Sequence, residues 1–353
     1  MWVTPLPDAA RSRPPTAVLM VLLTLVLLAS MLASLAVGAV SLPVATVWSV
    51  VQAHLGGQPA DPTWDAIVWD LRAPRTLLAA VAGAGLAVAG AGMQTLVRNP
   101  LADPYLLGVS SGAGVGATAV ITTGALSGLG VWALSGGALL GALAAAALVF
   151  GVAMLQGGLT PLRLVLTGVV LSSAFSAVSS FLVFRSGDPR AAQSVLFWLL
   201  GSVSGASWQV LLPATVTTVV AVLVMVAFSR WLDALSAGPD LAASLGIPVK
   251  GLRVALFVGL AALVGVLVAV SGGIGFVGLV VPHLVRMVVG ARHRAVVPVA
   301  ALSGAVFLVW VDMAARVSVR PQEIPLSVVT GIVGAPVFLV LVGRRHYRYN
   351  GAD

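Results

Sequence analysis

The stretch Leu71–Gly116, LRAPRTLLAAVAGAGLAVAGAGMQTLVRNPLADPYLLGVSSGAGVG, decides the fold class. Arg72 and Arg75 stand at one water interface, and the uncharged run Thr76–Val97 then crosses an apolar layer. Arg98-Asn99-Pro100 ends the run at the other interface. Asp103 is a good N-cap and Pro104 suits a first helical turn, so the chain restarts there as a helix. A second uncharged run follows from Leu106. Backbone groups in lipid must pair within their own segment, so runs of this kind are helices. The stretch therefore reads as a helical hairpin in a membrane, with a rigid polar turn facing one aqueous side.

Composition agrees. Hydrophobic residues make up 59% of the 353 and charged residues 8%, against roughly 25% charged in a soluble domain. Mean hydropathy is +1.07. Such a chain is an all-α polytopic membrane protein, and the lipid bilayer is its first partner. It has no cysteine, which removes disulfides and thiolate metal sites. The +8 net charge is spread over loop ends rather than gathered on a face, so it is not a nucleic-acid signal. The first apolar run follows Arg11 and Arg13 but is too long for a signal peptide and lacks a persuasive cleavage site; it reads as a retained span.

Spanning takes about 20 apolar residues, fewer when interfacial residues help. Ten runs qualify: Val18–Val40, Thr76–Val97, Leu106–Ile121, Val131–Leu155, Leu164–Phe184, Val210–Phe228, Val254–Val270, Ile274–Val289, Val297–Val311 and Leu326–Val342. Ser194–Val203 is too short to cross and reads as a re-entrant or interfacial helix, which suits Trp198. An even count puts both termini on one side. Thirteen of the nineteen Lys and Arg residues fall on the ends that include Arg11, Arg13, Arg98, Arg163, Arg230, Lys250, Arg253, Arg286, Arg292, Arg294, Arg344, Arg345 and Arg348. Six fall on the other: Arg72, Arg75, Arg185, Arg190, Arg316 and Arg320. Retention of positive charge inside then places both termini in the cytoplasm. The division is a cytoplasmic tail 1–17, a transmembrane domain 18–342 and a cytoplasmic tail 343–353.

The spans are rich in small residues. Gly83, Gly85, Gly90 and Gly92 share one, and Gly108/Gly112, Gly112/Gly116 and Gly137/Gly141 have GxxxG spacing, a pattern of close helix packing in lipid. Two loops exceed what a bundle needs. Ser41–Arg75 carries Trp48, Trp64 and Trp69, which suit an interfacial helix. The inner loop 230–253 reads RWLDALSAGPDLAASLGIPVKGLR, where Pro239 starts a short helix, Gly246 ends it, and Leu241 and Leu245 share a face. A helix of that kind lies on the bilayer or docks on a partner, and physics leaves both open.

Several motifs carry little chemistry. Gly108-Val109-Ser110-Ser111-Gly112 matches the G-x-S-x-G elbow, but it opens a membrane helix with no strand before it and no triad in view. Gly112, Gly114 and Ala117 fit a dinucleotide fingerprint without the strand or the acid that fingerprint needs. The only lysine, Lys250, lies between Val249 and Gly251, so there is no P-loop and any ATP must be bound by another subunit. His54, His283, His293 and His346 are scattered. No acid falls in the middle of a span, which argues against an ion-coupled carrier. Asp312, four residues before Arg316, reads as a helix-end ion pair or as outward-facing charge for a soluble partner. Ser172, Ser176 and Ser179 share a face of the fifth span and either line a pathway or bond across helices.

The quoted stretch from Arg72 onward resembles the FecCD-type permeases of ferric-siderophore, haem and cobalamin importers. So do LVLTGVVLSSAFSAVSSF, FWLLGSVSGASW, LSAGPDLAASLGIPVKGLR, GGIGFVGLVVPHLVRMVVG and EIPLSVVTGIVGAPVFLVLV, in family order from about Leu71 to Val342. The resemblance implies a ten-helix subunit of a type II ABC importer that catalyses no chemistry and holds no cofactor. It implies a second permease subunit, the same or paralogous, two ABC ATPase subunits, and an extracellular or periplasmic substrate-binding protein, in a bacterial cytoplasmic membrane. By the same resemblance Arg72, Arg75 and Arg316 pair with acids of the binding protein. Asp240, Leu241, Ala242, Ala243, Ser244, Leu245 and Gly246 form the coupling helix against the ATPase, and Ser172 and Ser176 border the path. Gly272-Gly273-Ile274-Gly275 departs from the family's common Gly-Pro-Ile-Gly. The rival readings are a secondary transporter working alone and an intramembrane hydrolase using Ser110.

Overall fold

The structure, a computed structural model, describes residues 15–38 and 40–349, the last eight of these by backbone only. Arg11, Arg13 and the ends of both expected tails lie outside the described residues, as do the side chains of Arg344, Arg345 and Arg348.

Among the described residues every regular element is a helix, apart from one isolated bridge between Val319 and Gln322. In chain order these are α1 (Thr16–Ala36), α2 (Val44–Leu55), α3 (Pro62–Asp65), which continues through a π-helical turn Ala66–Arg72, and α4 (Ala73–Val97). A 3-10 turn at Pro104–Leu107 leads into α5 (Val109–Thr123), then α6 (Ala133–Leu155), α7 (Pro161–Ser186), α8 (Pro189–Leu199) and α9 (Trp208–Ala227). The short α10 (Ser229–Ala237) and α11 (Pro239–Ser244) precede α12 (Val249–Ser271), α13 (Val277–Val289), α14 (His293–Val317) and α15 (Leu326–Tyr349). Among the described residues seven helical stretches are long and apolar enough to cross a membrane: Thr16–Ala36, Pro62–Val97, Ser127–Leu155, Pro161–Ser186, Trp208–Ala227, Val249–Ser271 and His293–Val317. The three other expected runs coincide with helices too, but α5 has 15 residues, α13 has 13, and the described apolar part of α15 is Leu326–Leu341.

The central element is α4. Pro74 sits in its first turn, and it ends where Arg98 turns left-handed at φ 54°. There Asn99 N–H reaches back to Gln94 O at 3.1 Å and Arg98 N–H to Thr95 O at 3.3 Å, satisfying carbonyls that the helix end leaves open. Nearly half of its residues are Ala or Gly, and most of the helix is buried, so other helices surround it. Gly83 lies on Gly304 of α14 and Gly90 on Gly278 of α13. Gly85 faces Thr218 of α9 and Leu267 of α12. A methyl group at position 83 or 90 would run into the facing backbone carbonyl. Lipid tails give helices no hydrophobic reason to associate, so close van der Waals contact between small residues has to supply the attraction.

A second contact of this kind joins α5 to α6, where Gly112 meets Gly141 and Gly116 meets Gly137. Two of the GxxxG pairs therefore face one another. Gly108 belongs to neither: it is the left-handed residue, φ 71°, between the 3-10 turn and α5. For that reason the second arm of the hairpin begins at Val109 and not at Leu106, although Asp103 does cap the turn, accepting from Tyr105 N–H at 2.8 Å. The Ser194–Val203 run is helical only to Leu199, as the end of α8, and then leaves the helix.

The chain directions sort the bundle into two ends. Arg75 at the start of α4 meets Asp312 near the end of α14, while Thr95 near the end of α4 meets His293 at the start of α14. They are called here the Arg75 end and the Arg98 end.

Candidate functional site

Three groups of residues distinguish the molecule from a plain bundle. The first lies within it, where several helices are interrupted at the level of the middle of α4. Gly278, at the start of α13, packs on Leu86 and on Pro104 of the hairpin turn. Tyr105 donates its hydroxyl proton to Ile274 O at 3.1 Å and accepts from Ile274 N–H at 2.7 Å. Ser202 N–H donates to Ser271 O at 2.8 Å. Leu326 N–H and Ser327 N–H donate to Gly201 O and Leu200 O at 2.9 and 3.0 Å. Ser327 Oγ donates to Gly273 O at 2.7 Å and accepts from Gly275 N–H at 3.2 Å. The ends of α8, α12 and the hairpin turn, and the starts of α13 and α15, thus satisfy one another's freed backbone groups. Non-helical backbone at membrane depth is tolerated only where protein buries it or where it borders a water-filled space, and discontinuous helices of this kind mark substrate sites in other transporters.

The local sequence explains the break. Gly272 has φ 66° and ψ −169°, a conformation open to glycine alone, and a side chain there would strike Trp198 O. Phe276 is held at φ 67° with its ring against Gly334 of α15, an uncommon conformation for an aromatic residue. The departure from Gly-Pro-Ile-Gly keeps a sharp bend. Ser110, of the G-x-S-x-G match, lies beside Gly273 in this junction. Ser172 Oγ lies close to Gly108 and Ser179 is buried against α5 near Gly114, whereas Ser176 is exposed. The serine stripe thus runs along the α5 contact and out onto a free face of α7.

The second group is the Arg75 end. Arg75 lies between two carboxylates, donating to Asp312 Oδ1 from Nε and Nη2 at 3.0 and 2.8 Å and to Glu323 from Nη1 and Nη2 at 2.7 and 2.9 Å. Arg316 Nε stands 3.1 Å from Asp312 Oδ2, off the direction for a hydrogen bond, so that oxygen is charge-compensated without being bonded. Arg72 donates to Leu35 O, Ala36 O and Val40 O at 2.7, 3.1 and 2.5 Å. Arg316 adds Ser34 Oγ, Ser34 O and Val37 O at 2.6, 3.3 and 3.1 Å. Two guanidinium groups therefore close the C-terminal end of α1, meeting its open carbonyls and the negative end of its dipole. Arg72 and Arg316 are buried and all three arginines are turned into the chain. The three arginines expected to meet the binding protein thus sit together at this end with their guanidinium groups bonded within the chain, because a charge between helix ends in low dielectric is drawn to the nearest acceptors. The exposed charges at this end are Asp61, Asp70, Arg185, Asp188, Arg190 and Arg320.

The third group is at the Arg98 end. Gly238, φ 152°, separates α10 from α11 in a backbone conformation that a β-carbon disfavours. α11 runs Pro239–Ser244, and Ile247 N–H returns to Ala242 O and Gly246 N–H to Ala243 O to close it. Ala242 is buried, while Asp240, Leu241, Ala243, Ser244, Leu245 and Gly246 are exposed. Leu241 is 50% exposed and Leu245 64%. Among the described residues no three His, Asp or Glu side chains form a metal-binding group.

A many-helix membrane bundle with an interrupted centre, a closed charged end and a protruding apolar hairpin at the other end defines a membrane transport component. The chain belongs to the FecCD transport family, whose model matches residues 25–344. The hemin transport permease of Yersinia pestis is 39% identical over 333 residues, 94% of this chain and 96% of that one. The vitamin B12 import permease of Vibrio cholerae is 43% identical over 281 residues, 79% of this chain and 83% of that one. Among solved structures, a metal-chelate-type ABC transporter in an inward-facing conformation superposes with a TM-score of 0.81 at 35% identity, over 93% of this chain and 99% of that one. Further relatives are named for molybdate and iron(3+)-hydroxamate import. The family consists of transport components rather than catalysts, which displaces both rival readings.

Proposed function

We propose that this chain is the permease subunit of a binding-protein-dependent ABC importer for ferric-siderophore complexes, and that it forms the path as a homodimer or a heterodimer. The observation that carries the reading is the likeness to the metal-chelate transporter over 93% of the chain. In this reading all ten apolar helices cross or enter the bilayer, both termini and the Arg98 end face the cytoplasm, and the Arg75 end faces out. The path borders the free face of α7 at Ser172 and Ser176 and the interrupted centre. Asp240–Gly246 docks on the ATPase, with Leu241 and Leu245 as its apolar contact. Arg72, Arg75 and Arg316 frame the outer mouth beneath the docked binding protein, and the exposed outer charges make the first contact with it. A path with no acid at mid-span interacts weakly with its cargo and leaves selectivity to the binding protein.

The test is uptake into proteoliposomes that hold the permease with its cognate ATPase and binding protein. ATP-driven uptake of a ferric hydroxamate, with little uptake of haem or cobalamin, is the expected result. Preference for another of these cargoes refutes the substrate, and uptake driven by an ion gradient without ATP refutes the reading altogether.

A further inference from the structure

Among the described residues the short helix α11 packs chiefly on its chain neighbours α10 and α12, so force on it enters the bundle mainly through them. α10 presses Leu232, Ala234 and Leu235 into the bundle. Between them Asp233 makes an ionic contact with the start of α14. Its Oδ1 accepts from His293 Nδ1–H at 2.5 Å and from His293 backbone N–H at 2.8 Å. This double grip fixes the imidazole so that Nε2 meets Thr95 Oγ1 at 2.6 Å. His293 is fully buried at the start of α14, and Thr95 is buried in the last turns of α4, where Ala91 O, at 3.0 Å, is the alternative acceptor for its one hydroxyl proton. Arg286 of α13 stands by the same group, donating to Ala91 O at 3.3 Å, with its Nε buried and unbonded.

We propose that Asp233, His293 and Thr95 are positioning residues that transmit movement of the α10–α11 hairpin into α4 and α14. The chemistry suits the task. Apolar contacts between α10 and the bundle can slide, whereas a carboxylate bonded at once to a ring nitrogen and to the backbone N–H beside it has one geometry. Hydrogen bonds to charged groups are also the strong ones. The link ends on α4, whose opposite end carries Arg75, and on α14, whose opposite end carries Asp312, so one rigid pair of helices joins the hairpin to the charged mouth. The inference rests on the reading of α11 as the ATPase contact.

The experiment uses the complete transporter in proteoliposomes and compares uptake per ATP hydrolysed. Asp233→Asn and Thr95→Val each remove part of the link with little change of shape. The expected result is assembled complexes that hydrolyse ATP as the parent does while uptake per ATP falls roughly tenfold or more, the equilibrium worth of a hydrogen bond to a charged group. Asp233→Glu recovers part of the loss. Unchanged uptake per ATP in both variants overturns the proposal, as does uptake that falls only in step with ATP hydrolysis.

A second measurement covers variants that assemble poorly. The chain has no cysteine, so Ser244→Cys and Arg294→Cys accept a pair of spin labels in the purified permease. The parent should give one narrow distance distribution and Asp233→Asn a broad one; the parent's distribution in the variant overturns the link. Leu245→Asp separates the two hypotheses. If it leaves the ATPase bound, the coupling role of α11 fails; if it releases the ATPase while Asp233→Asn transports normally, only the link fails.

Discussion

Replacing Arg75 by Met tests the electrostatics of the charged end. Asp312 has no solvent exposure and Arg75 only 12%, so their pair is a buried one. Loss of the guanidinium removes both hydrogen bonds to Asp312 Oδ1 and leaves Oδ2 with only the misdirected Arg316 contact. Breaking a buried pair by removing one partner costs about 3–5 kcal/mol. The surviving Arg316 places this case near the lower figure. Glu323, 35% exposed, turns to water when released, so its arm adds no more than about 0.5 kcal/mol. The expected destabilisation is therefore about 3 kcal/mol. In the double variant Arg75→Met/Asp312→Asn the stranded charge is gone, and Arg316 keeps its bonds to Ser34 and Val37. About 2 kcal/mol should return, with a coupling energy that a double-mutant cycle reads directly. Unfolding in mixed micelles by added sodium dodecyl sulfate, followed through the nine tryptophans, provides the measurement. The reasoning is refuted if Arg75→Met unfolds as the parent does, or if adding Asp312→Asn lowers stability further.

Three other outcomes follow from the structure. Gly90→Ala drives a methyl into Gly278 O between α4 and α13 and should cost about 2 kcal/mol, seen as a lower melting temperature in detergent. Gly259→Ala, whose methyl meets no atom nearby, should melt as the parent does. Burial pushes the Asp103 carboxyl from 3.8 up to about 6, against the hydrogen bond from Tyr105 N–H. The folded chain then holds that proton more tightly than the unfolded chain. Its contribution to stability is present in acid, falls as pH rises between 3.8 and about 6, and is flat above; melting across that range should lose this slope in Asp103→Asn. Finally, Arg185→Glu, Arg190→Glu and Arg320→Glu together should leave the melting temperature unchanged. They should slow association of the binding protein in a salt-dependent way, measured by surface plasmon resonance.

Much of the architecture was legible because membrane helices obey strong, local rules. The hairpin 71–116 announced itself by charge at both ends of an uncharged run, and the short helix Pro239–Ser244 by its proline and its two leucines. The glycines of α4 showed their purpose by number alone, though not which helix each would meet. The interrupted centre was less visible. The sequence separates Val254–Val270 from Ile274–Val289 at Gly272-Gly273 and marks Ser194–Val203 as too short to cross, but only the structure shows that these breaks meet one another inside the bundle; the Gly-Gly-Ile-Gly string was the available clue. The internal partners of the arginines were hidden for a related reason. Charge counts assign a residue to a side of the membrane, but whether Arg72 faces water or the open carbonyls of α1 depends on Leu35, Ala36 and Val40, more than thirty positions away. Asp233 and His293, sixty residues apart, carried no local pattern at all.

The short length of α13 has a mechanical consequence. Its 13 residues measure about 20 Å, against a hydrocarbon layer of about 30 Å, and α8, with 11 residues, is shorter still. Neither has to be drawn through the whole thickness of the bilayer for an opening to form. The start of α13 is tied into the interrupted centre through Ile274 and Gly275, so a tilt of a few degrees pivots there and moves the opposite tip. In the proposed import function, a bulky cargo would pass two shallow doors in turn, and ions much smaller than it would never meet a continuous hole.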